Sequence, residues 1–158
     1  MSDQGPMGGC NCGAIRYQLL AAPIVVHCCH CTWCQRETGS AFVLNALIET
    51  SNVTVLEGEP TRFRLATPSG KGQDVMRCGA CGVAVFSHYA GLGDKLAFVR
   101  VGTLDDPSVA PPSIHIFTSS KQPWVVLDDS VPVMEAYYRR SEQYSPESYA
   151  RYAALQES

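Results

Sequence analysis

The sequence predicts a mainly β domain of short antiparallel strands, and three observations carry that prediction. Short stretches rich in β-branched and aromatic residues recur along the chain. Turn formers stand between them, at Gly8-Gly9, Glu57-Gly58-Glu59-Pro60, Thr67-Pro68-Ser69-Gly70, Gly91-Leu92-Gly93-Asp94 and Ala110-Pro111-Pro112. Polarity alternates within several stretches, as in Thr61-Arg62-Phe63-Arg64-Leu65, which is the period of a half-buried strand.

Taken in order, the expected strands cover residues 14–20, 42–48, 53–56, 62–66, 83–89 and 96–101. A short helix is expected over about 32–38. A second is expected at the C-terminus, where Ser145 can cap and Pro146 can take the first helical position. Tyr149, Tyr152 and Ala153 share one face of that helix, which is expected to pack on the body; fraying or a subunit contact is the alternative. At 158 residues with 46% apolar content the chain has the size of one domain with a real core. That domain spans 1–158, with a core over about 7–138 and a helical tail over about 141–157.

Composition narrows the function classes. Twelve Lys and Arg against 15 Asp and Glu give a net charge of −3 with no basic run, which argues against nucleic-acid binding by phosphate neutralisation. Residues 1–9 are polar and glycine-rich, without the charged and apolar regions of an export signal, and apolar runs such as 41–48 are too short to span a bilayer. A cytoplasmic protein without membrane contact is expected. In a reducing compartment, eight clustered cysteines are expected to bind metal rather than form disulfides.

Their spacing sorts them into two groups. Cys10-Asn11-Cys12 and Cys78-Gly79-Ala80-Cys81 are close pairs flanked by glycine. Each can turn tightly enough to aim both sulfurs at one ion, and together they supply a closed tetrahedral site for structural zinc. Ordinary buried cysteines are the alternative. In Cys28-Cys29-His30-Cys31-Thr32-Trp33-Cys34, a strand that turns into a helix brings Cys29, Cys31 and Cys34 to one point and sends Cys28 and His30 to the other face. Three protein ligands leave one position open, as catalytic zinc requires. Three thiolates around a divalent ion leave a net negative charge, which suits holding a substrate thiol as thiolate better than strong Lewis-acid work. Such an ion would also be the more labile of the two.

The pattern resembles the glutathione-dependent formaldehyde-activating enzyme family. The resemblance runs through Gly8-Gly9-Cys10-Asn11-Cys12-Gly13-Ala14-Ile15-Arg16-Tyr17, Cys29-His30-Cys31-Thr32-Trp33-Cys34-Gln35-Arg36-Glu37-Thr38-Gly39-Ser40-Ala41-Phe42 and Arg77-Cys78-Gly79-Ala80-Cys81-Gly82-Val83-Ala84-Val85-Phe86. It continues in Ser113-Ile114-His115-Ile116-Phe117 and Lys121-Gln122-Pro123-Trp124. The resemblance implies two antiparallel β-sheets linked by zinc in a tent-like arrangement, the β-tent. It implies structural zinc on Cys10, Cys12, Cys78 and Cys81 and catalytic zinc on Cys29, Cys31 and Cys34. The implied activity joins formaldehyde and glutathione into S-hydroxymethylglutathione, a carbon–sulfur lyase in the reverse sense, with homodimerisation as a further expectation. Centromere protein V is a related chain in a non-catalytic role, so a zinc-stabilised binding module is the alternative function. The superfamily also resembles zinc-bearing methionine sulfoxide reductases, but redox work would fall to Cys28, whose plainer role is that of a small buried hydrophobe.

Helpers are set against structural alternatives. Arg36, Arg77, Arg100 and Lys121 are candidate anchors for the carboxylates of glutathione, or solvated surface charges. His88 and His115 are candidate proton shuttles, with a structural hydrogen-bonding role favoured for His115. Glu37 can orient a water or amine, or stand as an exposed helical carboxylate. Trp33 can wall the open site or pack half-buried, and His30 is awkwardly placed for a fourth ligand.

Overall fold

The computed structural model describes residues 4–158; the first three residues of the glycine-rich terminus lie outside the described residues. Two sheets form, as expected. The smaller contains β1 (Met7–Gly9), β2 (Arg16–Leu19) and β5 (Val53–Glu57) in the order β1-β2-β5. The larger contains β3 (Val25–Cys29), β4 (Val43–Glu49), β6 (Thr61–Leu65), β7 (Gln73–Arg77), β8 (Ala84–Tyr89), β9 (Leu96–Arg100) and β10 (Ile114–Ile116). Its order is β10-β3-β4-β9-β8-β7-β6.

Every ladder between these strands is antiparallel except the last, where β10 runs parallel to β3 with His115 opposite Cys28. This departs from the expected all-antiparallel sheet. A parallel partner needs a crossover, and here more than eighty residues, including most of the sheet, intervene between the two strands.

The core lies between the sheets. Tyr17 and Leu19 of β2 meet Ala46 and Ile48 of β4 and Val85 and Val99 beyond, all of them buried. Alternation along β4 sends Leu47 to the opposite face. There it packs with Ile24, Leu96, Tyr144 and Tyr152. Tyr144 follows α2 (Arg140–Gln143), and Tyr152 belongs to α3 (Pro146–Glu157), which Ser145 caps through a bond from the Ser148 N–H.

The tail helix thus docks on the body, by only part of the face expected. Tyr152 is buried, but Tyr149 is 44% exposed. The docked side instead carries Ser148, whose hydroxyl donates to the Ile24 carbonyl at 2.7 Å, and Arg151, which grips Glu49 through Nε at 2.7 Å and Nη2 at 2.5 Å. Tyr152 and Leu155 supply the apolar contact of this face and Ser148 and Arg151 its polar anchors, so an apolar pattern locates it only in part.

Two consequences are measurable. Tyr152→Ala is expected to lower stability by about 3 kcal/mol, read from the urea midpoint. The Arg151 guanidinium holds the Glu49 carboxyl below its ordinary value, against the opposing effect of burial. That stabilisation is full above the ordinary carboxylate pKa and is lost as pH falls through the lower folded value. Glu49→Gln is therefore expected to be less stable than the native chain at pH 7, with the gap narrowing toward pH 3.5.

Candidate metal centre

The two glycine-flanked pairs form matching turns. Cys10 follows β1 and Cys78 follows β7. In each turn the N–H of the first cysteine bonds the carbonyl five residues on, Ile15 or Val83, and its carbonyl accepts from Gly13 or Gly82. Both glycines sit at φ 79°, where a side chain would be strained. The two turns bring the sulfurs of Cys10, Cys12, Cys78 and Cys81 within 4.8 Å of one another. Cys10 to Cys12 is 3.6 Å and Cys12 to Cys78 is 3.7 Å. Four sulfurs about 2.3 Å from a tetrahedral zinc lie about 3.8 Å apart, so the donor set fits that ion.

The second group forms where β3 gives way to α1 (Thr32–Thr38). Cys29 ends the strand, Cys31 caps the helix by accepting from the Cys34 N–H at 3.3 Å, and Cys34 is the buried residue of the helix. Their sulfurs also lie within 4.8 Å of one another, and among the described residues no fourth His, Cys, Asp or Glu completes the group. Hydrogen bonds from Cys29 and Cys34, joined by the Cys34 and Trp33 N–H groups, hold the Cys31 thiol far below its ordinary value. Its bond to Cys31 pushes Cys29 up to about 12, and Cys34 is raised by both neighbours. Three sulfurs so close thus tolerate about one negative charge unless a cation joins them. This donor set suits a soft or borderline divalent ion such as zinc.

Cys28 and His30 point the other way, as the alternation requires. They meet His115 of β10, with Cys28 Sγ to His30 Nε2 at 3.5 Å and His30 Nε2 to His115 Nδ1 at 3.1 Å, all three residues buried. His30 thus contributes nothing to the three-cysteine point, and burial pushes the Cys28 thiol up to about 12. The loop between the two faces is fixed from outside. Gln35 Nε2 and the Ser120 hydroxyl both donate to the His30 carbonyl, and Gln122 Nε2 donates to Gln35 Oε1.

Cys29, Cys31 and Cys34 border a cavity of about 400 Å³. Trp33 walls it, with its indole N–H donating to Gln73 Oε1. Phe117, Phe98, Tyr89, Tyr137 and Ile116 continue the wall, and Arg140, His27 and Asn45 are among its polar residues. Phe117 is placed there by a left-handed backbone, φ 53°, unusual for a residue with a side chain. Burial, helped by the Arg140 charge, drives His27 down to about 3, while burial raises Tyr89 and Tyr137. The imidazole and both phenols are therefore neutral at pH 7.

The other candidate helpers lie elsewhere. Glu37 is not an exposed carboxylate. Its side chain is 7% exposed and bridges Arg77 at 2.7 Å and Arg100 at 2.9 Å, so neither arginine is a free anchor. These three line a separate hollow that contains none of the cysteines. Arg36 is exposed, Lys121 donates to the Val125 carbonyl, and His88 bonds the Leu96 carbonyl between strands. Sequence reasoning overlooked Tyr89, Phe98, Tyr137, Arg140 and His27. The run Tyr137-Tyr138-Arg139-Arg140 is the signal that would have pointed to part of this wall.

The sequence profile of a family described as glutathione-dependent formaldehyde-activating enzyme matches residues 6–120. Among solved structures, one of a Rhodobacter sphaeroides protein is similar at 18% identity and a TM-score of 0.47, covering 80% of this chain and 98% of that one. At that distance the likeness says nothing about function. No helix is long and apolar enough to cross a membrane among the described residues.

The Glu37 bridge joins α1 to the ends of β7 and β9, and so fixes the helix that carries Cys34. Glu37→Ala leaves two partly buried guanidinium groups unpaired. It is expected to cost about 3 kcal/mol, read by urea denaturation at matched metal content.

Proposed function

Because the chain belongs to the glutathione-dependent formaldehyde-activating enzyme family, we propose that it is a zinc-dependent carbon–sulfur lyase acting on glutathione or a small-thiol adduct such as S-hydroxymethylglutathione. The observation that carries this reading is the three-sulfur group, without a fourth protein donor among the described residues, facing a cavity of about 400 Å³. In the same reading Cys10, Cys12, Cys78 and Cys81 hold structural zinc, and Cys29, Cys31 and Cys34 hold the catalytic ion. The unbridged cysteines support a reducing, cytoplasmic setting.

Zinc bound to Cys29, Cys31 and Cys34 would supply the positive charge that keeps an incoming thiol as thiolate at neutral pH. The chain itself supplies enclosure and orientation. His27, Tyr89 and Tyr137 are not poised as general bases, because burial moves His27 down and Tyr89 and Tyr137 up. The Trp33, Phe98 and Phe117 walls exclude water from the reacting sulfur and carbonyl carbon and restrict their approach. Redox work gains no support, since Cys28 is buried on the far face with its thiol pushed up to about 12.

Zinc content by elemental analysis, before and after mild chelation, tests this reading when paired with a glutathione titration followed by heat. About two zinc ions per chain are expected, falling to about one on chelation, with glutathione binding only to the two-zinc form. A uniformly inert metal complement indifferent to glutathione would point to a non-catalytic zinc module instead.

A further inference from the structure

Arg140 stands out among the arginines. Arg16, Arg77, Arg100 and Arg151, the others that are buried or half-buried, all reach a carboxylate. Arg140 reaches none among the described residues. Its guanidinium stacks on the Tyr152 ring at 4.4 Å and lies 5.2 Å from the Tyr137 ring, and Nη2 donates to the Tyr137 hydroxyl at 3.2 Å. Its buried Nε has no acceptor. A planar guanidinium held by two aromatic faces, with donors to spare and the cavity before it, is preorganised for a carboxylate.

The rest of the cavity wall sets what the carboxylate is attached to. Arg140 is the only charged residue among those lining the cavity beside the cysteines, and no carboxylate lines it. Glutathione brings two carboxylates, so one of them would find no second cationic side chain here. Aromatic rings dominate the wall, where an apolar body gains most. We propose that the cavity selects a thiol, or its hydroxymethyl adduct, that carries a single carboxylate on an aromatic or otherwise apolar body, with Arg140 as the anchor of that carboxylate. This narrows the substrate class of the reaction proposed above and rests on that reading. Tyr137 and Arg140 both lie beyond residues 6–120, so the carboxylate anchor comes from the tail, whereas most of the apolar wall lies within the segment that matches the family.

The test uses the zinc-loaded full chain and four probes: 4-mercaptophenylacetic acid, its methyl ester, glutathione and 2-mercaptoethanol. Affinities are read from calorimetry and from quenching of tryptophan fluorescence in a Trp124→Phe background, which leaves Trp33 as the reporter. Cobalt-substituted protein reports, by its thiolate absorption band, whether each thiol reaches the metal. The acid is expected to bind about tenfold or more tightly than its ester, and more tightly than glutathione. Arg140→Gln is expected to bring the acid down to the ester's affinity, and Arg140→Lys to restore part of the difference. Equal binding of acid and ester by the native chain overturns the proposal without any variant. Persistence of the preference in Arg140→Gln, or tighter binding of glutathione, also overturns it. If 2-mercaptoethanol still shifts the cobalt band in these cases, thiol activation stands and only the substrate class fails. If no thiol shifts the band, both fall together.

Discussion

Four sulfur atoms packed edge to edge impose the constraint on which the architecture depends. Cys10 and Cys12 leave the small sheet, Cys78 and Cys81 join two strands of the large one, and their sulfurs meet at separations normal for ligands of one ion. Thiols that close cannot all ionise without a cation. Ile15 N–H and neighbouring sulfurs, overcoming burial, bring Cys10 down to about 6, whereas hydrogen bonds to Cys10 and Cys78 lift Cys12 to about 11 despite the Ala14 N–H. Tyr17, Leu19 and Ile48 belong to the same buried cluster as Cys10 and Cys78, so the apolar contact between the sheets runs up to this junction.

The same economy of placement shapes the cavity. One short segment turns its odd and even positions to different uses: Cys29 and Cys31 face the cavity, while Cys28 and His30 join His115 on the far side. The two histidines meet at 3.1 Å across the β3–β10 ladder. This contact ties β3 to β10, and β10 in turn leads to the left-handed Phe117 and to the Ser120 and Gln122 contacts that fix the loop. Glu37 does the corresponding work behind α1. The three sulfurs are thus positioned by neighbours that never touch them.

Much of this was legible in the sequence. The six expected strands overlap β2, β4, β5, β6, β8 and β9, and Ser145-Pro146 marked the start of α3. Four strands escaped for physical reasons. β1 is mostly glycine, and β10 is only three residues long. β7 carries Gln73 and Asp74 at buried positions, which burial statistics disfavour. They are accommodated by Trp33 for the glutamine and by Arg62 and Arg64 for the aspartate. β3 was legible only as the strand that must precede the helix. The cysteine groups were readable because ligand spacing is local. The wall was not, because Tyr89, Phe98, Tyr137 and Arg140 come together only through the tertiary fold. Glu37 was misjudged for the same reason: no local pattern reveals that two distant arginines converge on it.

The long-range pairing of β3 with β10 also orders events in time. The three-cysteine cluster is contained in one strand end and one helical turn, so a nascent chain can assemble it early, before most of the sheet exists. The four-cysteine corner must wait for a loop of more than sixty residues to close, with the entropy that entails. The wall waits longer still, since Tyr137 and Arg140 reach the cavity only after the whole sheet has been laid down. During synthesis, then, the three thiols that border the cavity stand uncovered until the tail arrives, at a stage when they are open to a metal donor and to oxidants alike.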